Sequence, residues 1–203
     1  MRFLPFLSEL YLFNNRIQTL DGLSGTQFDE LTILHLFNNN IESINTLSSI
    51  KFRKISKILI YNNKIENIGG LAKCDLSTLK VLNIYNNKIM NIEPLTRCNF
   101  EQLNELIMNK NKLTNIDLFT KCNFSTLNIF IIHNNQIANI DALQNFKMNE
   151  LRTFYIYGNR ISKTLKKNIA TIQGIKARNS NSSDSIYIDQ DEKKIHKKTI
   201  IQN

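Results

Sequence analysis

The amino-acid sequence predicts an α/β solenoid, an arc or horseshoe with a parallel sheet on its concave side and short helices or turns on its convex side. Two observations lead to this fold class: a repeat with a fixed period, and apolar side chains that alternate with a period of two inside each repeat. The repeat is 24 residues long and is marked by seven evenly spaced asparagines: Asn15, Asn39, Asn63, Asn87, Asn111, Asn135 and Asn159.

Each of these asparagines lies in the same apolar frame, Leu-x-x-Leu-x-Leu-x-x-Asn-x-Ile-x-x-Ile. In the fourth copy the frame residues are Leu79, Leu82, Ile84, Asn87, Ile89 and Ile92, followed by Leu95. The Leu-x-Leu segment predicts a short strand with one buried face. Such strands stack in parallel at about 4.8 Å, and the chain returns on the opposite side. The asparagine follows the strand, where its amide can bond main-chain groups of its own and adjacent coils.

This frame resembles the leucine-rich-repeat superfamily, whose repeats of roughly 20 to 29 residues carry the same leucines and asparagine. The resemblance extends from Leu7 to Ser162 and implies a leucine-rich-repeat solenoid, without specifying a partner. The second half of most repeats opens with an acidic residue or asparagine, which is similar to the intracellular subclass with short convex helices.

The chain divides into three predicted parts. Residues 1–162 form the solenoid. Residues 163–176 are predicted to form a capping helix, because Leu165, Ile169 and Ile172 recur at helical spacing before Gly174. Residues 177–203 form a polar basic tail in a chain of net charge +9.

The N-terminal end of the solenoid is predicted to lack a cap. Leu4 falls on an apolar column shared with Phe28 and Phe52, so the first coil begins in the middle of the frame. Solenoids need polar caps for solubility. We therefore expect either that another chain or domain covers the first coil, or that the sequence is a piece of a larger protein.

The three cysteines indicate a reducing compartment. Cys74, Cys98 and Cys122 share one frame position, where other copies have Ile50 and Phe146, so we expect free thiols in the core. Ligands spaced one coil apart lie in a line and cannot surround zinc tetrahedrally. No metal or cofactor is predicted. Without a membrane span or an export signal, the predicted location is cytoplasmic, with nuclear or cytoskeletal association left open.

Catalytic motifs are absent from the sequence. It contains no Gly-rich phosphate loop, no Gly-x-Ser-x-Gly and no His-Glu-x-x-His. His35 and His133 lie four coils apart, which is about 19 Å at the spacing of strands, so they cannot share a metal. The chain is predicted not to be an enzyme.

The predicted binding surface is the concave face of the sheet. It consists of side chains between and just after the frame leucines, with lysines along one border. The predicted partner-binding residues are Tyr11, Phe13, His35, Phe37, Leu59, Tyr61, Tyr85, Ile107, Ile131, His133, Tyr155, Tyr157, Lys64, Lys88 and Lys112. Contiguous apolar surface with aromatic side chains usually marks an interaction site. The alternative is that the rings only stack on one another and stiffen the sheet.

These features predict a non-enzymatic scaffold that binds a protein partner, and the basic border favours an acidic one. Association with RNA or a ribonucleoprotein is an alternative, because aromatic rows beside lysines also suit base stacking along a phosphate track. A third hypothesis is a regulatory module of a larger protein such as a kinase. Binding to nucleic acid should weaken steeply as salt is raised, whereas an aromatic-anchored protein interface should weaken mildly.

Overall fold

The structure, a computed structural model, describes residues 4–162 and the strand at residues 185–187. The strands are β1 (Glu9–Tyr11), β2 (Gln27–Phe28), β3 (Ile33–His35), β4 (Lys51–Phe52), β5 (Lys57–Leu59), β6 (Val81–Asn83), β7 (Glu105–Ile107), β8 (Ile129–Ile131), β9 (Thr153–Tyr155) and β10 (Ser185–Tyr187). In this part of the chain, β1, β3, β5, β6, β7, β8, β9 and β10 form one sheet in that order, and β2 pairs separately with β4.

Every strand pairing in the sheet is parallel, and from β1 to β9 the register advances by one repeat at each step. Leu10 is opposite Leu34, and Leu34 is opposite Ile58 in the next strand. The same frame position therefore falls at the same depth in each coil, and we number the coils 1 to 7 by their frame asparagines. The predicted fold, a parallel sheet of short strands in a solenoid, is confirmed.

The chain returns on the opposite side through short 3-10 helices. They span Asp21–Leu23, Asn45–Ser49, Gly69–Lys73, Glu93–Arg97, Asp117–Lys121 and Asp141–Asn145. Five residues cannot complete two turns of α-helix, and each of the longer ones closes with an N–H to C=O bond such as Cys98 to Leu95 at 3.3 Å. The convex side thus has turns rather than longer helices.

The frame asparagines join neighbouring coils through their side-chain amides. The Nδ2 of Asn87 donates to the carbonyl of Ile84 in its own coil and to that of Ile60 in the preceding coil, both at 3.1 Å. Its Oδ1 accepts the N–H of Ile65 at 3.0 Å. Backbone groups that leave the strand are satisfied in this way even though they are buried. The predicted structural role of these asparagines is confirmed.

Apolar frame residues fill the space between the sheet and the convex turns. Leu79, Leu82, Ile84 and Ile89 are fully buried, as are their counterparts in the other central coils. A column of large side chains under the convex side, which includes Phe28, Phe52, Phe100 and Phe124, is also buried. One hydrophobic core therefore runs along the solenoid.

Ring spacing shows the direction of curvature. The ring centroids of Phe37 and Tyr61, on the sheet face, are 4.5 Å apart. Under the convex side, the centroids of Phe28 and Phe52 are 6.2 Å apart, although they too are one coil apart. The coils fan out away from the sheet, which puts the sheet on the concave side as predicted.

The cysteine column is free of disulfides and largely buried. Cys74 and Cys98 are buried, whereas Cys122 is only half-buried and so departs from the predicted core position. Burial raises the pKa of the Cys74 thiol to about 11 and that of Cys98 and Cys122 to about 12. These thiols are therefore protonated and poorly nucleophilic at neutral pH.

The two ends of the solenoid differ. At the first coil, Leu4 and Phe6 are exposed, and Leu7, Leu10 and Leu12 are only half-buried. At the other end, β10 pairs in parallel with β9, although the sequence places it in the basic tail. The predicted capping helix at 163–176 lies outside the described residues.

Candidate partner-binding surface

Two rows of side chains form the concave face. The first row follows the register of the sheet and contains Tyr11, His35, Leu59, Asn83, Ile107, Ile131 and Tyr155. The second row lies two residues further along each coil, on the same face, and contains Phe13, Phe37, Tyr61, Tyr85, Asn109, His133 and Tyr157. The structure therefore brings the predicted aromatic and apolar site residues together on one face.

Four rings of the second row form a continuous stack. Phe13 lies 4.6 Å from Phe37, and Phe37 lies 4.5 Å from Tyr61, with 6° between the ring planes in both pairs. Tyr61 continues to Tyr85 at 4.8 Å and 15°. Because the coils repeat at about the strand spacing, successive rings have nearly the same orientation. Phe37 and Tyr61 each lie between two stacked rings, and all four rings are half-buried.

Histidines take part in two shorter stacks at the ends of the face. Tyr11 stacks on His35 at 4.5 Å and 17° in the first row. His133 stacks on Tyr157 at 4.4 Å and 13° in the second row. The two histidines are far apart, as predicted, and within the described residues no group of three or more His, Cys, Asp or Glu could hold a metal ion.

The second row is interrupted at Asn109, which is buried between the two stacks. Its Nδ2 lies 3.1 Å from His133 Nε2. Because an amide nitrogen can only donate, Nε2 accepts this bond and the ring proton lies on Nδ1. Burial, with help from Lys110, lowers the pKa of His133 to about 4, so the imidazole is neutral at pH 7. Nδ1 is buried without a hydrogen-bond partner among the described residues.

His35 has a different charged neighbour. Its Nε2 lies 3.9 Å from a carboxylate oxygen of Glu9, which also accepts a hydrogen bond from the Tyr11 hydroxyl. Burial lowers the pKa of His35, while Glu9 raises it and Lys57 lowers it to a smaller extent. The ring is therefore neutral at pH 7, and Glu9 lies beside the Tyr11 end of the first row.

Exposure on the concave face is lower than the sequence suggests. Tyr11 is 58% exposed, but most of the other predicted site residues are half-buried, and Ile131 is buried at 9%. Ile131 has neighbours on both sides in its row, Ile107 and Tyr155. Close spacing of the strands hides the flanks of these side chains and leaves their tips accessible.

Lysines border the second row. Lys64, Lys88 and Lys112 are exposed and follow directly after the frame asparagines. Each donates its backbone N–H to the preceding coil, as Lys88 does to Ile65 at 2.9 Å, so these lysines occupy equivalent places in successive coils. The side chain of Lys88 lies 3.5 Å from Glu66, an exposed pair of little energetic weight.

A second column of asparagines, not predicted from the sequence, runs beside the frame asparagines. Asn14, Asn38, Asn62 and Asn86 have φ between 52° and 57°. The Nδ2 groups of Asn38, Asn62 and Asn86 each donate to the Oδ1 of the preceding asparagine in the column, at 2.6 to 2.7 Å. The signal was the repeated Asn-Asn pair, because asparagine is one of the few residues that tolerate positive φ. In coil 5 the position is taken by Lys110, also at φ 53°, and the column is broken there.

Coil 5 carries a further charged group on the concave face. Glu105 lies between Val81 and Ile129 in the register of the sheet. Burial raises the pKa of its carboxyl, and Lys57 partly offsets this effect. Across the face, coil 5 presents Glu105, Ile107, Asn109 and Lys110 and is the most polar of the central coils.

No helix in the described part of the chain is long and apolar enough to cross a membrane. A family model described as leucine-rich repeats (2 copies) matches residues 5–49. Among curated proteins, no significant match by sequence is found.

Solved structures resemble the chain over most of its length. An internalin (inlF) from Listeria monocytogenes is 22% identical with a TM-score of 0.55, and the match covers 83% of this chain and 59% of the internalin. Internalin C2 from the same bacterium is 22% identical with a TM-score of 0.57, covering 82% of this chain and 77% of that one.

A plant peptide hormone receptor, solved in complex with RGF2, is 20% identical with a TM-score of 0.50, covering 67% of this chain and 24% of the receptor. The chain thus spans less than two thirds of the length of two of these three proteins. At 20 to 22% identity, these similarities show a shared fold. That fold agrees with the 24-residue frame, the asparagine hydrogen bonds and the family-model match. The described part of the chain thus has the leucine-rich-repeat fold, and its residues 5–49 match the leucine-rich-repeat family model.

Proposed function

We propose that this chain is a non-enzymatic scaffold that binds a protein partner on its concave face. The observation that carries the proposal is the stack of Phe13, Phe37, Tyr61 and Tyr85, whose ring edges line a surface bordered by lysines. Aromatic side chains are the commonest anchors of protein interfaces. Leucine-rich-repeat proteins are generally binding modules, and the plant receptor above was solved with RGF2 bound.

The stack supports binding because it is already ordered. Association normally costs side-chain entropy, at about 0.5 to 1.5 kcal/mol for each side chain that becomes immobilised. Tyr61 lies between Phe37 and Tyr85 at 4.5 and 4.8 Å, so its rotamer is fixed before a partner arrives. The same observation is compatible with the alternative in which the rings only stiffen the sheet, so the experiment must separate the two.

The lysine border supports an acidic partner. Lys64, Lys88 and Lys112 are all exposed, and Lys110 adds a fourth cation on the same side of the second row. Exposed charges of one sign raise the association rate of oppositely charged partners more than they raise affinity. We therefore expect the association rate to fall as salt is raised, with a smaller change in the dissociation rate.

Affinity purification with the double variant Tyr61→Ala/Tyr85→Ala tests the proposal. We expect the variant to lose most of the partner retained by the wild type, while its free energy of unfolding stays within about 1 kcal/mol because both rings are only half-buried. Met90→Ala is the control, because Met90 is a large apolar side chain that is 63% exposed outside the two rows. Equal retention by the wild type and the double variant contradicts the proposal. Unfolding of the double variant favours the stiffening role.

The RNA alternative predicts a different result in the same purification. Nuclease treatment would release the bound material, and retention would fall by orders of magnitude between roughly 50 and 200 mM salt. A protein partner held by aromatic anchors should survive both treatments. The cytoplasmic location inferred from the free cysteines stays a prediction, as does a role as a regulatory module of a larger protein.

A further inference from the structure

The sheet has an uncovered edge at coil 1. In the part of the chain that the structure describes, no strand lies beyond β1, whereas β9 at the other end of the solenoid is covered by β10. Four large apolar side chains are exposed among the described residues, and three of them, Leu4, Phe6 and Tyr11, lie in or just before coil 1. Apolar surface concentrated at the edge of a sheet is typical of a site that pairs with another strand.

The apolar layer beneath β1 is open on the same side. Leu10 and Leu12 pack against the hydrophobic core but are only half-buried. Their equivalents one repeat later, Leu34 and Leu36, are fully buried, because coil 1 covers them. Coil 1 therefore presents to the outside the apolar frame face that coils 2 to 6 bury.

Some of the backbone groups of β1 also point away from the sheet. In a parallel pair, the groups of alternate residues bond to opposite sides of the strand. In coil 1 the N–H groups of Leu12 and Asn14 donate to coil 2 at 2.9 and 3.1 Å, so the even-numbered residues face the sheet. The N–H and C=O groups of Glu9 and Tyr11 consequently face outward, at the edge that no described strand covers.

Charges around this edge are few, and the acidic ones are bonded within the chain. The acidic residues between positions 4 and 30 and their partners are Glu9 with Tyr11, Asp21 with Thr46, Asp29 with Arg53 and Glu30 with Lys54. Arg16 is the one basic residue in positions 3–50, and Arg2 precedes the described residues. The cations that give the chain its net charge of +9 thus lie mainly in later coils.

We propose that β1 pairs antiparallel with β1 of a second copy of this chain, about a two-fold axis at Leu10. The strand is three residues long, so Glu9 of one copy lies opposite Tyr11 of the other, and all four outward groups of each strand are bonded. The leucine faces meet beneath the paired strands, and one sheet continues from copy to copy. The inference goes beyond the proposed function and does not depend on it, because the concave face stays open.

The edge is complementary to itself, which favours a second copy over an unrelated strand. The two-fold axis brings together Glu9 and Tyr11, the same pair that is bonded within β1. Like charges do not face each other across the axis, and Arg16 lies six residues from it, so the two copies of Arg16 are at opposite ends of the junction. Pairing of β1 with β10 of the next copy is less favourable, because β10 lies outside the 24-residue frame and brings no second leucine face.

Amide hydrogen exchange at residue resolution tests the pairing in the full chain. We expect exchange at Glu9 and Tyr11 to slow by about tenfold when the protein concentration is raised from about 10 to 500 µM, because dimers form by mass action and bonded amides are protected. The amide of Leu12 is the internal control, since it already donates to His35 within one copy. Sedimentation velocity over the same range should show conversion of monomer to dimer and no larger species.

Two kinds of variant separate strand pairing from other association. Tyr11→Pro removes an outward N–H without removing a backbone bond inside the chain, so it should remain monomeric at the higher concentration. Tyr11→Glu places carboxylates opposite Glu9 on both sides of the axis and should weaken the dimer at least tenfold. Glu9→Lys/Tyr11→Glu should restore it, because each lysine then faces a carboxylate of the other copy. Met90→Glu, at an exposed apolar position away from this edge, is the control and should leave the dimer unchanged.

Several results would overturn the proposal. A monomer at both concentrations rejects a second copy as the occupant of the edge, whether its Glu9 and Tyr11 amides exchange fast or are protected by the chain's own residues. Growth into larger polymers rejects the two-fold pairing. A dimer that persists in folded Tyr11→Pro rejects pairing through β1. If circular dichroism shows that this variant is unfolded, the charge variants decide: a dimer that survives Tyr11→Glu, or that the double variant does not restore, rejects the register centred on Leu10.

Discussion

Substitution of a single frame asparagine in the middle of the solenoid should lower the free energy of unfolding markedly, because its side chain bonds to buried backbone groups. Asn87→Ala removes three donated bonds, to the carbonyls of Ile60, Ile84 and Tyr85, and one accepted bond, from the N–H of Ile65. The consequences for these four groups are unequal, because the carbonyls have other donors, as Tyr85 has in the N–H of Asn62.

The neighbouring asparagines explain the difference. Asn63 still donates to Ile60 at 3.2 Å, and Asn111 still donates to Ile84 at 3.1 Å. Ile65 N–H has Asn87 Oδ1 as its acceptor, and Ile65 is fully buried. An orphaned buried N–H costs about 1 to 3 kcal/mol and the weakened carbonyl bonds add to it, so we expect a loss of about 3 kcal/mol.

Asn15→Ala is the matched control within the same chain. Asn15 occupies the same frame position in coil 1, but it is exposed, and its bonds go to the carbonyls of Leu12 and Phe13 in its own coil. Leu12 keeps a second donor, Asn39 at 2.8 Å. No buried group is orphaned, so the loss should stay below about 1 kcal/mol.

Urea unfolding followed by circular dichroism measures both variants against the wild type. The test compares the loss of unfolding free energy in Asn87→Ala with that in Asn15→Ala. Errors from extrapolating each value to zero urea therefore largely cancel. Equal losses in the two variants would refute the reasoning, because the frame asparagine would then act through local geometry alone. A loss under about 0.5 kcal/mol in Asn87→Ala would show that water replaces the amide.

Three further predictions follow from strained, buried or titrating groups. Lys110→Asn should raise the free energy of unfolding by about 1 kcal/mol, because asparagine tolerates the left-handed backbone and can bond to Asn86; an unchanged melting temperature would contradict this. A thiol reagent at neutral pH should modify Cys122 first and leave Cys98 intact until unfolding, since Cys98 is buried with a thiol pKa of about 12; rapid native labelling of Cys98 would refute its burial. Because the pKa of His133 is lowered to about 4, the unfolded chain binds a proton below pH 6.5 that the folded chain does not bind. The free energy of unfolding should therefore fall as pH drops from 6.5 to 4. In His133→Gln, the free energy of unfolding measured with urea should change less over that pH range.

The sequence predicts the solenoid well because a fixed period determines which side chains face inward. Leu82 and Leu106 lie one repeat apart and prove to be register partners. The same reasoning does not find β10, since Ser185 pairs with Thr153 at a separation that is no multiple of the repeat. Periodicity therefore predicts the strands that recur every 24 residues, but not a strand such as β10 that lies outside the repeat.

The sequence predicted which residues lie on the concave face, but not how exposed each of them is. Period-two alternation places Ile131 on the concave side, but its burial depends on the side chains of adjacent strands, which one repeat does not specify. Likewise, Asn86 could be assigned to a turn, while its positive φ and its bond to Asn62 emerge only when coils are stacked. The interruption of the second row at Asn109 is likewise recognised only beside the stacked rings of the neighbouring coils.

The stacking of coils one upon the next also determines how the solenoid would respond to force. A pull on the two ends runs along the direction of the bonds between strands, so load falls on one coil boundary at a time. Each coil that peels away releases 24 residues, about 80 Å of contour length. Because no repeat is longer or shorter than its neighbours, the extension would grow in equal steps. Stretched in this way, the domain would lengthen one coil at a time and lose its concave surface strand by strand.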